Sequence, residues 1–368
     1  MQIKRLSILN FKNIKEAELS FSPGLNCFVG KNGEGKTNLL DAIHYIAFCK
    51  SHTNSIDSQN INHEADFFMI QASCQENEVT NEVTCAVKRR QKKTFTCDTK
   101  EYDKLSHHIG KIPLVLISPS DEELIREGSD ERRRFMDMVI AQYDHVYMDA
   151  LVAYNRAMSQ RNALLKDDTW ADYDDSLYEV YETKMALEAE TIFRKREAFI
   201  AAFTPVFEQF YHAISGGKES IRLQYTSHIS AGELSLQLKD ARRRDLLLGF
   251  TSKGVHKDEI LMELDGFPIK RVGSQGQNKS FLIALKLGQY GFLKHNEHMM
   301  PILLIDDLFD KLDTERVERI IRLVCGNEFG QLFITDTNKE HLTHMLKSMG
   351  GEFRFFHVSE GEIQTEPS

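Results

Sequence analysis

Gly30-Lys31-Asn32-Gly33-Glu34-Gly35-Lys36-Thr37 decides the reading of this 368-residue chain. The stretch fits G-x-x-x-x-G-K-[ST] in full, the pattern of a loop that wraps phosphate. A triphosphate carries dense negative charge. Such a loop meets it with backbone N–H groups and with the N-terminus of the helix that follows. Glycine lets the backbone curl around the anion with no Cβ in the way. Lys36 is placed to reach the β- and γ-phosphates, and Thr37 to hold Mg2+ through its hydroxyl. The predicted ATP-binding residues are therefore Gly30, Lys31, Asn32, Gly33, Glu34, Gly35, Lys36, Thr37 and Asn38. The motif needs a strand before it and a helix after it. Leu25-Asn26-Cys27-Phe28-Val29 reads as a short buried strand, and Asn38-Leu39-Leu40-Asp41-Ala42-Ile43-His44-Tyr45-Ile46 has apolar residues at helical spacing.

Two elements far along the chain complete the chemistry. Pro301-Ile302-Leu303-Leu304-Ile305, closed by Asp306-Asp307, reads as a buried parallel strand ending in two acids. Alone, the pair would be surface carboxylates. With the loop, Asp306 is expected to bind Mg2+ and Asp307 to polarise the attacking water, so that Lys36, Asp306 and Asp307 form the catalytic set. Aspartate reaches less far than glutamate at the second position. That suits slow turnover, with ATP acting as a clamp more than as fuel. Ser274-Gln275-Gly276-Gln277 stands before the helical pattern Lys279 to Gly288. A serine hydroxyl and a helix N-terminus make a second anion site. One γ-phosphate does not need two sites in one chain. A two-fold dimer does, with Ser274, Gly276 and Gln277 capping the partner's nucleotide. Asp313, in Lys311-Leu312-Asp313, is expected at the same interface.

Composition sets the bounds. Apolar residues make up 41% and charged residues 27%, as in ordinary globular proteins. No segment approaches the ~18 apolar residues of a membrane span. Met1-Gln2-Ile3-Lys4-Arg5-Leu6 runs directly into a strand pattern, so no signal peptide is expected. Six scattered cysteines without a C-x-x-C pair point to a reducing cytoplasm and away from zinc. A net charge of -9 gives no support for nucleic acid unless the basic residues gather on one face.

Along the chain, residues 1 to about 115 read as strands around one helix. Residues 79–97 form a hairpin whose tip, Lys88-Arg89-Arg90-Gln91-Lys92-Lys93, is either a solvated turn or a DNA contact; Lys88, Arg89, Lys92 and Lys93 are its candidate DNA-binding residues. From Asp121 the pattern turns helical. Phe135, Val139, Val146, Ala150 and Ala157, then Leu177 to Phe210, keep helical spacing on either side of Asp167-Asp168-Thr169-Trp170. The pattern predicts an antiparallel helical hairpin with arms on the order of 50–60 Å. Ile221 to Tyr225 is a strand, 233–248 a helix, and Ile260 to Leu264 with Pro268-Ile269-Lys270-Arg271 a hairpin. The division expected is an ATPase head from 1–118 and 250–368, with a helical lobe at 119–249. Arg132-Arg133-Arg134 and Arg242-Arg243-Arg244 each point three ways on a helix, so at least one member must turn inward or pair with an acid such as Asp130 or Glu131. Phe11-Lys12-Asn13 is either a strand end or a contact to adenine or ribose.

These residues together resemble the bacterial RecF family of DNA repair ATPases, relatives of the SMC and Rad50 heads. The likeness runs nearly end to end. It rests on Phe11-Lys12-Asn13, on Pro23-Gly24-Leu25-Asn26 leading into Gly30 to Asp41, on Ser51-His52, and on Arg132 to Asp137. Ser159 to Lys166, Ser274-x-Gly276-Gln277, Asp306-Asp307-x-Phe309-x-x-Leu312-Asp313 and Ile334-Thr335-Asp336-Thr337 complete it. Gly254-Val255-His256-Lys257-Asp258 departs from the family's usual Gly-Pro-His-Arg-Asp, and Ile14 stands where an aromatic is usual. The resemblance implies an α/β fold: an ABC-type, SMC-like P-loop ATPase head with an inserted α-helical lobe and a short antiparallel arm. It implies a weak, DNA-stimulated ATPase and an ATP-dependent homodimer that binds DNA at gaps and single-strand/double-strand junctions. It also implies partnership with RecR and RecO in loading the RecA recombinase, in support of replication restart and the SOS response, in the cytoplasm. Two other readings compete. A transporter ATPase subunit is normally continuous and keeps a glutamate and a switch histidine, where this chain has Asp307 and Thr335-Asp336-Thr337. An SMC-like head of a nuclease-associated system needs an added acidic metal cluster.

Overall fold

The computed structural model describes residues 1–166, 176–217, 219–295, 297–307, 314–324, 326, 329–337, 343 and 353–366. Asp313 with its neighbours, and the Asp167–Trp170 break, lie outside the described residues. The chain opens with β1 (Gln2–Phe11), β2 (Ile14–Ser20), β3 (Leu25–Val29), α1 (Lys36–Phe48), β4 (Phe67–Glu76), β5 (Val79–Lys88), β6 (Thr94–Cys97), β7 (Lys100–Glu101) and β8 (Leu114–Ile117). Then come α2 (Glu123–Arg126), α3 (Ser129–Ile140), α4 (His145–Leu165), α5 (Ser176–Ser215), β9 (Ile221–Thr226), α6 (Leu234–Leu248), β10 (Glu259–Leu264), β11 (Phe267–Pro268) and α7 (Ile269–Val272). It continues through α8 (Gln275–His295), β12 (Ile302–Ile305), α9 (Thr314–Val324), β13 (Leu332–Asp336), β14 (Phe353–Ser359) and β15 (Glu362–Thr365).

Two compact units result. The first combines Met1–Asp121, Gln209–Gly217 and Gln275–Ser368. It holds two sheets. One is antiparallel, in the order β2-β1-β4-β5-β6-β7. The other runs β15-β14-β3-β13-β12-β8 and is parallel except for β15. The parallel strands are continuous apolar runs because helices and the other sheet cover them. Cys27, Phe28, Leu303, Leu304, Phe333 and Phe356 are all buried, and Phe28 stacks on Phe333 with ring centres 6.1 Å apart. Both chain ends thus build one sheet. Its strands aim their C-terminal ends the same way, the edge where open α/β sheets bind ligands.

The second unit comprises Glu122–Glu208 and Lys218–Ser274. The head was expected to resume at 250; the division falls instead between Ser274 and Gln275. The cause is the pairing of β10 with β9, from Glu259↔Thr226 to Leu264↔Ile221, which keeps 259–264 with the helical segment. Of the expected second hairpin arm, Pro268 to Arg271, only Pro268 is strand, paired together with Phe267 as β11. Pro268 donates no ladder hydrogen bond, and the chain turns at once into α7. The arm is an antiparallel pair: Arg161 meets Glu182, and Tyr147 meets Arg196. Its first helix is shorter than expected, because Asp144 accepts from the Tyr147 N–H at 2.9 Å and restarts the helix as α4. The 21 residues of α4 and the 40 of α5 correspond to roughly 30 and 60 Å.

Buried charge holds this unit together. Arg161 donates to Asp245 at 2.8 Å and to Glu182 at 3.1 Å, and Arg242 forks onto Glu182. The side chains of Arg161 and Asp245 are fully buried. Arg196 lies between Asp137 and Asp258, and Tyr225 donates to Asp258 at 2.5 Å. Breaking a buried pair leaves an uncompensated charge at a cost of about 3–5 kcal/mol. Glu182→Ala, which removes the carboxylate of Arg242 and leaves Arg161 with Asp245 alone among the described acids, is expected to lower the denaturant midpoint of this unit accordingly. An unchanged midpoint would show that the cluster holds nothing.

Candidate nucleotide site

The loop between β3 and α1 takes its shape from its glycines and from three bracing segments. At Gly30 a Cβ would stand 2.2 Å from the Val358 carbonyl oxygen, so β14 permits no side chain there. Gly33 and Gly35 have φ of 85° and 117°, which favour glycine. The Asn13 amide donates to the Glu34 carbonyl at 3.1 Å and accepts from Asn38 at 2.8 Å, while the Gly361 N–H reaches the same Glu34 carbonyl at 2.9 Å. Asn13 is thus a brace of the loop. Of the two readings of Phe11-Lys12-Asn13, the strand end is what β1 shows at Phe11, and Lys12 turns to Asp41 and Thr53.

The Lys36 side chain folds back over the loop. Its ammonium donates to the carbonyls of Gly30 at 2.7 Å and Lys31 at 2.9 Å. Burial pushes its pKa below the ordinary lysine value, against the pull of Asp307, Asp306, Asp336 and Glu34. Thr37, exposed in the first turn of α1, donates to Asp306 Oδ2 at 2.8 Å. Asp306 is buried at the end of β12, and desolvation raises its pKa while Thr335 and Thr37 lower it. Hydroxyl and carboxylate oxygens side by side are the hard donors that Mg2+ takes, the rest of its shell being phosphate and water. A desolvated lysine and a glycine-lined loop of N–H groups fit a polyphosphate. The residues present therefore fit both groups.

One strand separates the loop from the acids. β13 lies between β3 and β12, and its Thr335 supplies the link. The Thr335 hydroxyl donates to Asp306 Oδ1 at 2.7 Å and accepts from the Asp307 N–H at 2.9 Å. Asp307 sits at φ 46°, a strained conformation for a non-glycine residue and one found at functional sites. In the sequence, Thr335 stands out only as the absence of a histidine. The hydroxyl beside the acid strand is the available signal, but only the strand order reveals its use.

Gly276 and Gln277 lie in the first turn of α8, directly after the exposed Ser274. A Cβ on Gly276 would stand 2.6 Å from Arg316 Nη1. Among the tip residues, Lys88, Arg89 and Lys92 are exposed, whereas Lys93 is turned inward onto Asp57. The first triple arginine is structural: Arg132 forks onto Glu259 at 2.6 and 2.8 Å, Arg133 meets Asp130, and Arg134 meets Glu131 at 2.8 Å. In Gly254-Val255-His256-Lys257-Asp258, Asp258 is the counter-ion of Arg196. His256 bridges Tyr154 and the Thr251 carbonyl, with burial lowering its pKa to about 4. Lys257 rests over the Phe250 ring at 5.3 Å. Among the described residues, no helix is long and apolar enough to cross a membrane.

Comparison with known proteins agrees with this geometry. The family described as RecF/RecN/SMC N terminal domain matches residues 2–354. A protein of Phocaeicola vulgatus named DNA replication and repair protein RecF is 56% identical over 99% of this chain and 98% of its own length. Proteins of that name from Bacteroides fragilis and Porphyromonas gingivalis are 54% and 47% identical, over 99% of this chain and 98% and 100% of their own lengths. A solved structure of the recombination mediator protein RecF with ATP in the RecFOR pathway superposes with a TM-score of 0.89 at 25% identity, covering 99% of this chain and 97% of that one. An SMC head bound to the C-terminal winged-helix domain of ScpA gives a TM-score of 0.59 at 14% identity, covering 100% of this chain and 97% of that one, and shows the shared ABC-type head fold. The chain belongs to the RecF family of DNA replication and repair proteins, within the RecF/RecN/SMC N-terminal domain family.

Proposed function

We propose that this chain is an ATP-gated DNA-binding protein of recombinational repair, with Mg2+ and ATP as cofactors and slow, DNA-stimulated ATP hydrolysis. The observation that carries the reading is the convergence of Lys36, Thr37, Asp306 and Thr335 at one edge of a sheet built from both chain ends. Lys36 and the loop amides would hold the phosphates, and Thr37 and Asp306 the metal ion. Asp307 would orient water, its backbone fixed by Thr335. Ser274, Gly276, Gln277 and Asp313 would cap the nucleotide of a second copy, which makes the closed form a homodimer around two nucleotides. DNA at gaps and single-strand/double-strand junctions would be held by basic residues of both copies, including Lys88, Arg89 and Lys92. RecR with RecO, and through them RecA, are the partners this role requires, in the cytoplasm.

Light scattering tests the gate. The wild-type chain is expected to double in mass with ATP. Ser274→Arg is expected to bind ATP as a monomer and stay one, because a long cation cannot fit where a hydroxyl meets the partner's γ-phosphate. A Ser274→Arg protein that still doubles in mass would refute capping across the dimer.

A further inference from the structure

The basic hairpin tip between β5 and β6 divides by direction. Lys88, Arg89, Arg90 and Lys92 are exposed. Lys93 points the other way. Its ammonium lies 2.9 Å from Asp57 Oδ2, donates to the Cys49 carbonyl at 2.7 Å, and stands 5.5 Å from the centre of the Tyr45 ring. Cys49 is the residue that ends α1, at φ 54°. A helix leaves its last carbonyls without intrahelical partners and carries the negative end of its dipole there. Lys93 therefore caps the far end of the helix whose first turn is Lys36 and Thr37. Tyr45, fully buried on that helix, donates its hydroxyl to Asp57 at 2.5 Å and closes the ring of contacts. Midway along α1, Asp41 is held by the Ser51 hydroxyl and the His52 N–H, both at 2.6 Å. A second carbonyl at that end, Ile46, is held by His108 Nε2 at 2.7 Å; Lys93 is the anchor that comes from an element with an exposed cationic tip.

We propose that Lys93 is a positioning residue that couples DNA on the hairpin tip to the nucleotide end of α1. The inference rests on the ATPase reading above. Backbone phosphates drawn to Arg89, Arg90 and Lys92 pull on the exposed tip of the hairpin. They also load the backbone from which Lys93 projects. Releasing or tightening that cap moves the C-terminal end of α1, and a stiff helix carries the shift to Lys36 and Thr37. The tip thus reports bound DNA to the phosphate loop without touching the nucleotide.

The test measures ATP turnover and DNA anisotropy on full-length Lys93→Met, Asp57→Asn and Lys93→Arg. Lys93→Met is expected to bind DNA within about twofold of wild type, since an inward cation makes no phosphate contact. Its ratio of turnover with saturating DNA to turnover without is expected to fall to about one, the value of an uncoupled pair of sites. Asp57→Asn should uncouple likewise, and Lys93→Arg should restore part of the ratio, which a merely destabilised fold would not do. A wild-type ratio in both Lys93→Met and Asp57→Asn overturns the coupling, as does a wild-type protein whose turnover ignores DNA. A wild-type protein that binds no ATP overturns the ATPase reading instead.

Discussion

Lys36→Ala is expected to lose ATP binding while keeping its fold. The ammonium is already desolvated, and its hydrogen-bond acceptors among the described residues are the Gly30 and Lys31 carbonyls, a poor exchange for water around a full charge. That is why its pKa lies below the ordinary 10.5. The sign follows. A lysine whose folded pKa is depressed is less favourable charged in the fold than in the unfolded chain. Its penalty stands at every pH below the folded value and is relieved only as pH rises toward 10.5. A triphosphate relieves it at neutral pH. Removing one charge-assisted contact to phosphate costs about 3 kcal/mol, on the order of a hundredfold in Kd. Lys36→Met, which keeps most of the stem, is expected to melt no lower than wild type in the absence of nucleotide. Calorimetry settles both points: ATP binding by Lys36→Ala at wild-type affinity would mean the loop has been misassigned.

How much of this was legible in the sequence depends on the distance over which each signal acts. The loop, its strand and its helix are local, and periodicity with glycine placement identifies all three. The acid strand is legible as an apolar run ending in Asp306-Asp307. Its insertion one strand away from the loop is not, because strand order is set by packing of non-adjacent segments, and with it the use of Thr335 stays hidden. Helical spacing carries from Phe135 to Ala157 across a real break, since the apolar face continues through the turn. Only the Asp144 cap marks it. The boundary near 250 was misplaced because a strand at 259–264 can pair with either unit, and only its register with Ile221–Thr226 decides. In the tip, five basic residues among the six from 88 to 93 look alike in sequence, yet of these it is Lys93 that turns toward an aspartate and a helix end.

DNA affinity is expected to depend on ATP and, steeply, on salt. The chain carries a net charge of -9, and Arg161, Arg196, Arg242 and Arg132 are held by Glu182, Asp245, Asp137, Asp258 and Glu259, so these four cations are not available to DNA. The exposed Lys88, Arg89, Arg90 and Lys92 form one such group per copy. A single group is a weak hold on a duplex. Two copies closed on ATP would set two groups along the same backbone, and the second attachment then forms at high effective concentration. Each neutralised phosphate releases counterions, so a protein that neutralises about six loses roughly a thousandfold in affinity between 50 and 200 mM salt, with little dependence on sequence. Neutralising Lys88, Arg89 and Lys92 is expected to flatten the plot of log affinity against log salt by about 0.9 for each phosphate no longer met by a cation. Neutralising Lys93 should leave that slope alone, because its charge faces Asp57. The gating claim is the stricter one. At one salt concentration, anisotropy should find tight binding with ATP and weak binding with ADP or no nucleotide. Equal affinity in all three states would mean that closure on ATP does not assemble the DNA-binding surface.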